Sequence, residues 1–179
     1  MNSPTSATTC SAIFTPDPPE APRAVAALRA LGLSHAVVRH GRVASLEEAA
    51  ALRGVRPADI IKTLVVRRAE DDYLFVLVPG DREISWPKLR AHLGVNRLSM
   101  PSAQVALGVT GYERGTITPF GSTHAWPVIA DASVPGRTIS LGAGAHGVSA
   151  TLFADDALAA LRAVVADVTD PVTPRTDRG

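Results

Sequence analysis

The segment IIKTLVVRRAEDDYLFVLV, residues 60–78, decides the fold of this chain. Ile60 to Arg68 and Tyr73 to Val78 are rich in β-branched and aromatic residues, and an acidic turn separates them. These residue types favour strands, and two such runs joined by a short turn are typical of a hairpin. The sequence therefore predicts a β-hairpin here.

Lys62 is the only charged residue between Ile60 and Val66. Side chains alternate between the two faces of a strand, so Lys62 shares a face with Leu64. Lysine is rarely buried without a partner. The pattern leaves two interpretations open: a solvated lysine at a sheet edge, or a pocket lysine that binds an anion or a carbonyl group.

Helix and strand signals continue on both sides of the hairpin. Apolar spacing, serine caps and terminal glycines predict five helices. They are Ala21–Leu31, a helix that begins at the Ser45/Glu48 capping box and ends at Gly54, one that begins at Ser85, contains Pro87 and ends at Gly94, Ser102–Leu107 and Asp155–Val165. Strands are predicted at His35–Arg39, Pro127–Ala130, Thr138–Leu141 and Val148–Phe153. Because most strands follow one another through turns, we expect an α+β fold with a mixed, mostly antiparallel sheet, curled or closed into a barrel, and surrounding helices.

Composition predicts one domain with polar ends. Residues 1–20 and 168–179 are expected to be flexible tails around a single domain at 21–167. The single cysteine, Cys10, cannot form an internal disulfide, which favours a reducing compartment, and no stretch approaches a membrane span. We therefore expect a cytoplasmic protein with no membrane contact.

The net charge limits the classes of nucleic acid that this chain is expected to bind. The 18 Lys and Arg residues against 17 Asp and Glu give a net charge of +1, without the basic field that dominates non-specific binding. No DNA partner is expected, and any RNA contact must be local. No cluster of metal-ligand residues or cofactor motif stands out, so neither a metal nor a cofactor is predicted.

Two glycine-containing loops carry the remaining signals. In residues 111–121, Gly115 and Pro119 are typical of an ordinary turn or of a backbone clamp whose amides point inward. Residues 142–147 match GxGxxG, but a strand follows and the chain is nearly finished, which excludes the dinucleotide-binding context. The alternatives are a glycine-rich hairpin loop or a close backbone approach to a ligand.

Taken in order, Ile60–Val65, Gly111–Pro119, Pro127–Asp131 and Gly142–Gly147 resemble the YbaK family of aminoacyl-tRNA deacylases, which includes the inserted editing domain of bacterial prolyl-tRNA synthetase. The resemblance covers roughly Val25 to Leu161. It implies that the protein hydrolyses the ester of a mischarged tRNA and binds the acceptor end of an aminoacyl-tRNA. An aminoacyl-tRNA synthetase is a second candidate partner.

The resemblance also implies roles for individual residues. Lys62, Gly115, Thr116 and Pro119 match the positions expected to serve catalysis. The substrate-binding residues implied are His40, Ile117, Thr118, Gly142, Gly144 and His146. In this scheme the amides of the GxxxP loop hold the aminoacyl group, Lys62 anchors the carbonyl region or the terminal nucleotide, and a ribose hydroxyl of the tRNA assists water.

The sequence departs from the family pattern in its charge. Ser122, Thr123 and His124 stand where many relatives have lysines, and His146 replaces a basic residue in the glycine turn. Both changes are expected to remove positive charge from the cleft. Two other functions therefore stay open: a non-catalytic module that binds tRNA, a nucleotide or a synthetase, and a hydrolase of another aminoacyl ester. The expected substrates are alanine, cysteine or serine on proline tRNA, selected by pocket size.

Overall fold

The computed structural model describes residues 22–173, so Cys10, the whole predicted N-terminal tail and residues 174–179 lie outside it. Its helices are α1 Arg23–Ala30, α2 Leu46–Arg53, α3 Trp86–Leu93, α4 Ala103–Thr110 and α5 Ala154–Leu161. Its strands are β1 His35–Arg39, β2 Ile60–Ala69, β3 Asp72–Pro79, β4 Arg82–Ile84, β5 Val128–Asp131, β6 Thr138–Gly142, β7 Val148–Phe153, β8 Val164–Ala166 and β9 Thr169–Pro171. None of the described helices is long and apolar enough to cross a membrane.

The predicted hairpin is confirmed and forms the middle of the sheet. β2 and β3 pair antiparallel from Ile61 opposite Pro79 to Ala69 opposite Asp72. Tyr73, Phe75 and Leu77 face one apolar cluster, whereas Leu74, Val76 and Val78 face another. A strand that is apolar on both faces is covered on both sides, and β3 is therefore the core of the domain.

The large sheet is mixed, as predicted, and has the order β1-β7-β6-β2-β3-β5-β8. Its antiparallel ladders are the longer ones, since β2 pairs with β3 over eight positions but with β6, in parallel, only at Ile60 and Ile61. The strands β1 and β8 form its two edges, so the sheet is open and the barrel alternative does not apply.

Helices cover both faces of this sheet. The residues Val25 and Leu28 of α1 pack into the first cluster together with α4 and α5, whereas Leu89 of α3 packs into the second. On the same side of β2 as Lys62, Ile60 packs against Ala49 and Ala50 of α2. This third contact matters for the site, because it places the end of α2 beside Lys62.

The helix boundaries follow the predicted caps with three differences, one of which is that α4 ends at Thr110 and not at Leu107. Ser45 accepts a hydrogen bond from the Glu48 amide, and Gly54 ends α2 in the left-handed region, as predicted. Ser85 precedes α3 but its side chain makes no cap hydrogen bond. The last helix ends at Leu161 instead of Val165, because the chain turns at Arg162 and continues into β8.

The predicted C-terminal boundary is also corrected. Val168 and Thr169 are fully buried, and β9 pairs antiparallel with β4. The Asp131 carboxylate accepts a hydrogen bond from the Val168 amide. Residues 168–171 thus belong to the folded domain, and the tail predicted from 168 starts too early.

Candidate functional site

A cleft opens where two parallel neighbours of the sheet separate. The strands β2 and β6 are paired only at Ile60 and Ile61, and β2 is next paired on that side at Arg67, which exchanges backbone hydrogen bonds with Ser99. Hydrogen-bonding direction alternates along a strand in an antiparallel ladder. The backbone N–H and C=O groups of Thr63 and Val65 therefore point to the same side of β2 as those of Arg67, which is the side of the gap.

We call this gap the lysine cleft. It has a volume of about 430 Å3, and its lining includes Arg53, Lys62, Thr63, Gly115, Ile117 and Gly142. Most of the lining is apolar, and no carboxylate of residues 22–173 contributes to it. An apolar cleft with a few polar groups is typical of a small-molecule site.

Lys62 is half-buried at this cleft and its ammonium is partly engaged. Nζ donates hydrogen bonds to the carbonyl oxygens of Arg82, at 2.5 Å, and Gly80, at 3.3 Å. Burial lowers the pKa of Lys62, and the nearby charges of Glu83 and Asp81 offset part of that effect. An ammonium has three donors, and two of them are used here. Lys62 is thus a half-buried lysine that lines the cleft and not a solvated edge lysine, and its binding of a ligand stays a prediction.

The GxxxP loop borders the cleft with backbone. Gly115 has φ +92°, a region that side chains disfavour. The Thr116 amide donates to the Glu113 carbonyl oxygen and is not free. Within residues 22–173, the amides of Gly115 and Ile117 have no acceptor, and both residues line the lysine cleft. These two N–H groups can donate to a carbonyl oxygen of a ligand.

The segment that matches GxGxxG is the loop of a β-hairpin, since β6 and β7 pair antiparallel on either side of it. A Cβ atom on Gly142 would lie 3.4 Å from the Thr116 carbonyl oxygen, so β6 and the GxxxP loop are in close contact here. Gly144, at φ +82°, lies against the Tyr112 ring. The hairpin-loop alternative is correct. The close approach seen here is to the GxxxP loop and Tyr112, and a close approach to a ligand stays a prediction.

A second opening, the histidine cleft, adjoins the first. It has a volume of about 500 Å3, is lined in part by His40, Arg42 and His146, and shares Arg53, Gly115 and Gly142 with the lysine cleft. The Nδ1 atom of His40 lies 2.8 Å from the Gly41 carbonyl oxygen, which can only accept. Nδ1 must therefore carry the proton, and Nε2 of the neutral ring is an acceptor. This Nε2 is enclosed and has no partner among the described residues.

His146 is different, because it is exposed and paired. Its Nε2 lies 3.0 Å from a carboxylate oxygen of Glu113, and the two side chains are about equally exposed, at 70% and 69%. Such an exposed pair contributes little to stability. The imidazole lies at the rim of the histidine cleft.

The two clefts bring together six of the ten predicted site residues: Lys62, Gly115, Ile117, Gly142, His40 and His146. The other four, which are Thr116, Thr118, Pro119 and Gly144, line neither cleft. Thr116, Thr118 and Pro119 are buried. The Thr116 Oγ1 donates to the Glu113 carbonyl oxygen, and Thr118 Oγ1 accepts from the Phe120 amide. In this structure Thr116, Thr118 and Pro119 shape the GxxxP loop and Gly144 belongs to the hairpin loop beside it, and their roles toward a substrate stay predictions.

The sequence analysis missed the arginines of the site. Arg53 lies in the wall that the two clefts share, Arg114 lines the lysine cleft and Arg42 the histidine cleft. By contrast, Ser122, Thr123 and His124 line neither, and Ser122 instead donates to the Thr110 carbonyl oxygen. The prediction that residues 122–124 lower the positive charge of the cleft is therefore wrong, because these residues do not line it. A signal was present, since an arginine ends α2 just before the strand of Lys62.

Metal ligation finds no support in the described part of the chain. Between residues 22 and 173, no three His, Cys, Asp or Glu side chains come together in a way that could hold an ion.

Comparison with known proteins identifies the domain. The model of the aminoacyl-tRNA editing domain family matches residues 40–160. The proline–tRNA ligase of Geobacter sp. (strain M21) is 36% identical over 92 residues, which are 51% of this chain and 16% of the ligase. That of Heliobacterium modesticaldum is 37% identical over 109 residues, 61% of this chain and 18% of the ligase. The chain thus spans under a fifth of the length of these relatives.

A solved structure agrees on the fold. The crystal structure of a protein described as a candidate trans-editing enzyme for prolyl tRNA synthetase superposes with a TM-score of 0.75. At 23% identity it covers 83% of this chain and 95% of its own.

Proposed function

Because this chain belongs to the aminoacyl-tRNA editing domain family, we propose that it is a trans-editing deacylase that hydrolyses the ester of a mischarged aminoacyl-tRNA. The observation that carries the proposal is the junction of the two clefts at Gly115 and Gly142. A substrate that has an amino acid on one side of an ester and a nucleotide on the other can place its reacting bond at such a junction.

The protein groups at the junction suit an orienting role. The free amides of Gly115 and Ile117 would donate to the ester carbonyl oxygen and stabilise the charge that develops on it. One well-placed donor of this kind contributes about 3 kcal/mol to lowering the barrier. The remaining N–H of Lys62 would hold the same region of the substrate as a compact cation.

No side chain of the two clefts forms a nucleophile–base pair. The hydroxyl of Thr63 is enclosed but has no partner within the described residues, and the imidazoles that line a cleft, His40 and His146, line only the histidine cleft. A nucleophilic hydroxyl needs an adjacent base. The proposed route is therefore assisted by the substrate: a ribose hydroxyl of the tRNA positions or activates water, and the ester is cleaved to a free amino acid and uncharged tRNA.

Small amino acids such as alanine, cysteine or serine on proline tRNA are the proposed substrates. The lysine cleft, at about 430 Å3, is larger than one amino acid, so its total volume does not exclude proline. Selection by size would have to act where β6 and the GxxxP loop approach each other, at Gly142 and Ile117.

The test follows loss of the ester from proline tRNA charged separately with alanine, cysteine, serine or proline. We expect one small amino acid to be released with proline spared, and Lys62→Met to lose at least tenfold in kcat/KM. Lys88→Met is the matched control, because Lys88 is the other lysine of the chain and pairs with Asp167 and Asp170 away from both clefts.

Three results would contradict the proposal. Tight binding of charged tRNA without turnover would identify a binding module. Equal turnover of free aminoacyl esters and charged tRNA would identify a hydrolase that does not use the RNA. A Lys62→Met protein as active as the Lys88→Met control would remove Lys62 from the mechanism.

A further inference from the structure

Arg53 is a cation without a partner in the wall between the two clefts. No carboxylate of residues 22–173 lies within ion-pair distance of its guanidinium, and its Nε is enclosed without any hydrogen-bond acceptor. Burial lowers the pKa of Arg53, and no nearby charge compensates. A half-buried guanidinium that is neither paired nor freely hydrated is costly, and a ligand that supplies an anion would relieve this cost.

The fold holds Arg53 in this place. It is the last residue of α2, whose capping serine and buried Ala49 and Ala50 fix the helix against Ile60. The left-handed Gly54 ends the helix directly after it. The backbone position from which the Arg53 side chain extends is therefore set by the packing of α2 on β2.

Its surroundings match a nucleotide. The histidine cleft is also lined by His40, whose enclosed Nε2 has no partner in the described residues, and by a second cation, Arg42. An arginine donates to phosphate oxygens, because its planar fork fits phosphate in two-bond geometry, and an unpaired imidazole nitrogen is an acceptor of the kind that a hydroxyl satisfies. Ribose and phosphate carry these two groups side by side.

We propose that Arg53 binds a backbone phosphate of the single-stranded acceptor end, with the terminal ribose in the histidine cleft and the amino acid in the lysine cleft. The inference rests on the proposed function, because that function supplies the RNA. In this arrangement Arg53 is a positioning residue: it holds the strand so that the ester reaches the junction at Gly115 and Gly142.

The test measures binding and not hydrolysis. A fluorescent RNA hairpin with an uncharged CCA end is titrated with the full chain and with the variants Arg53→Gln, Arg53→Lys and Arg29→Gln. Arg29 is an exposed arginine of α1 that lines neither cleft, so Arg29→Gln removes the same charge elsewhere. We expect Arg53→Gln to weaken binding about tenfold, Arg53→Lys to weaken it less, and Arg29→Gln to change it less than twofold.

Two further readouts separate phosphate contact from a general effect on the fold. Replacing the phosphates of the CCA end one at a time by neutral methylphosphonates should weaken binding to the parent about tenfold at one position and leave Arg53→Gln unaffected there. The dependence of log Kd on log salt should become shallower by about 0.7 in Arg53→Gln, as for loss of one single-strand phosphate contact.

Several outcomes would overturn the inference. They are a parent that does not bind the RNA, a parent insensitive to every methylphosphonate, or an Arg53→Gln protein as sensitive to them as the parent. The methylphosphonate series on the parent needs no variant, so a misfolded Arg53→Gln leaves the inference testable. A protein that binds through Arg53 but does not hydrolyse any ester would fail the proposed function alone.

Discussion

The Gly144 amide donates a hydrogen bond to the Thr116 carbonyl oxygen over 3.2 Å. This bond joins the GxxxP loop to the hairpin loop between β6 and β7. Gly144 also lies against the ring of Tyr112, and Gly142 lies against the Thr116 carbonyl. The two glycine-containing loops are therefore one structural unit, which explains why substitutions in either should affect both.

Gly144→Ala is expected to destabilise the protein by more than Gly136→Ala. Both glycines have positive φ, +82° and +75°, which costs alanine about 1 to 2 kcal/mol. A methyl group at 144 would meet the Tyr112 ring, whereas one at 136 would meet nothing within 4 Å. Urea unfolding of the two variants measures the difference. Equal losses of unfolding free energy would mean that the Tyr112 contact has no energetic role.

Gly142→Ala is expected to narrow the junction without unfolding the chain. Its methyl group would lie 3.4 to 3.6 Å from backbone of Thr116 and Ile117, which is ordinary contact. We expect an unchanged melting temperature and a larger loss of kcat/KM for serine than for alanine esters, because the added group takes space from the substrate. Gly108→Ala, in α4 with nothing within 4 Å, is the control. A uniform loss across substrates would argue against selection at this position.

Tyr112→Phe is expected to cost about 1 to 3 kcal/mol of stability. The Tyr112 hydroxyl donates to the Phe120 carbonyl oxygen at 2.7 Å, and both residues are buried, so removal of the donor leaves the carbonyl unpaired. Tyr73→Phe is a matched control, because the hydroxyl of the buried Tyr73 makes no hydrogen bond among the described residues. Chemical denaturation should give Tyr112→Phe a clearly lower free energy of unfolding than Tyr73→Phe. The reverse order would contradict a stabilising role for the Tyr112 hydrogen bond.

Asp131 is expected to make the fold sensitive to acid. Burial alone would raise the pKa of Asp131, but hydrogen bonds from the Ser133 hydroxyl and amide and from the Val168 amide outweigh it and hold the pKa below its usual 3.8. A carboxylate with a lowered pKa in the folded state adds stability above the unfolded pKa, and this stability is lost as pH falls through the folded pKa.

Asp131→Asn should therefore be less stable than the parent by about 1 to 3 kcal/mol at pH 7, and the gap should shrink below about pH 4. Melting temperatures measured from pH 2 to 8 test this. The exposed Asp156, at the start of α5, supplies the control variant Asp156→Asn. A gap that is constant with pH would mean that the charge of Asp131 is not what stabilises the end of β5.

The local signals predicted most of the elements. The hairpin β2–β3 followed from β-branched runs, and α2 followed from Ser45, Glu48 and Gly54, since these features act within a few residues. β8 and β9 were missed because each is three residues long and depends on distant partners. The Ala- and Val-rich run after Asp155 gave no sign that Arg162 would take φ +50° and end the helix.

The site was harder to predict than the fold. The family resemblance implied which loops would meet. It did not show which side chains would line the clefts, because the lining depends on where β2 and β6 separate, and that separation is set by long-range contacts. Arg53 looked like an ordinary basic residue in the last turn of a helix, a position that favours cations anyway. The resemblance implied a catalytic role for Thr116 and a substrate-binding role for Thr118, and the structure shows that their hydroxyls are used within the loop.

The point at which β2 separates from β6, after Ile61, also sets the depth of the lysine cleft in coarse steps. The floor of the lysine cleft lies where the last backbone pair forms, and each residue added to a strand moves such a point by about 3.3 Å. A shift by one residue would exchange the two faces of the strand, so only steps of two residues, about 6.6 Å, preserve the lining. Evolution therefore cannot tune this depth finely by strand length, and small changes in what the cleft admits must come from the size of single side chains placed where Gly142 now leaves room.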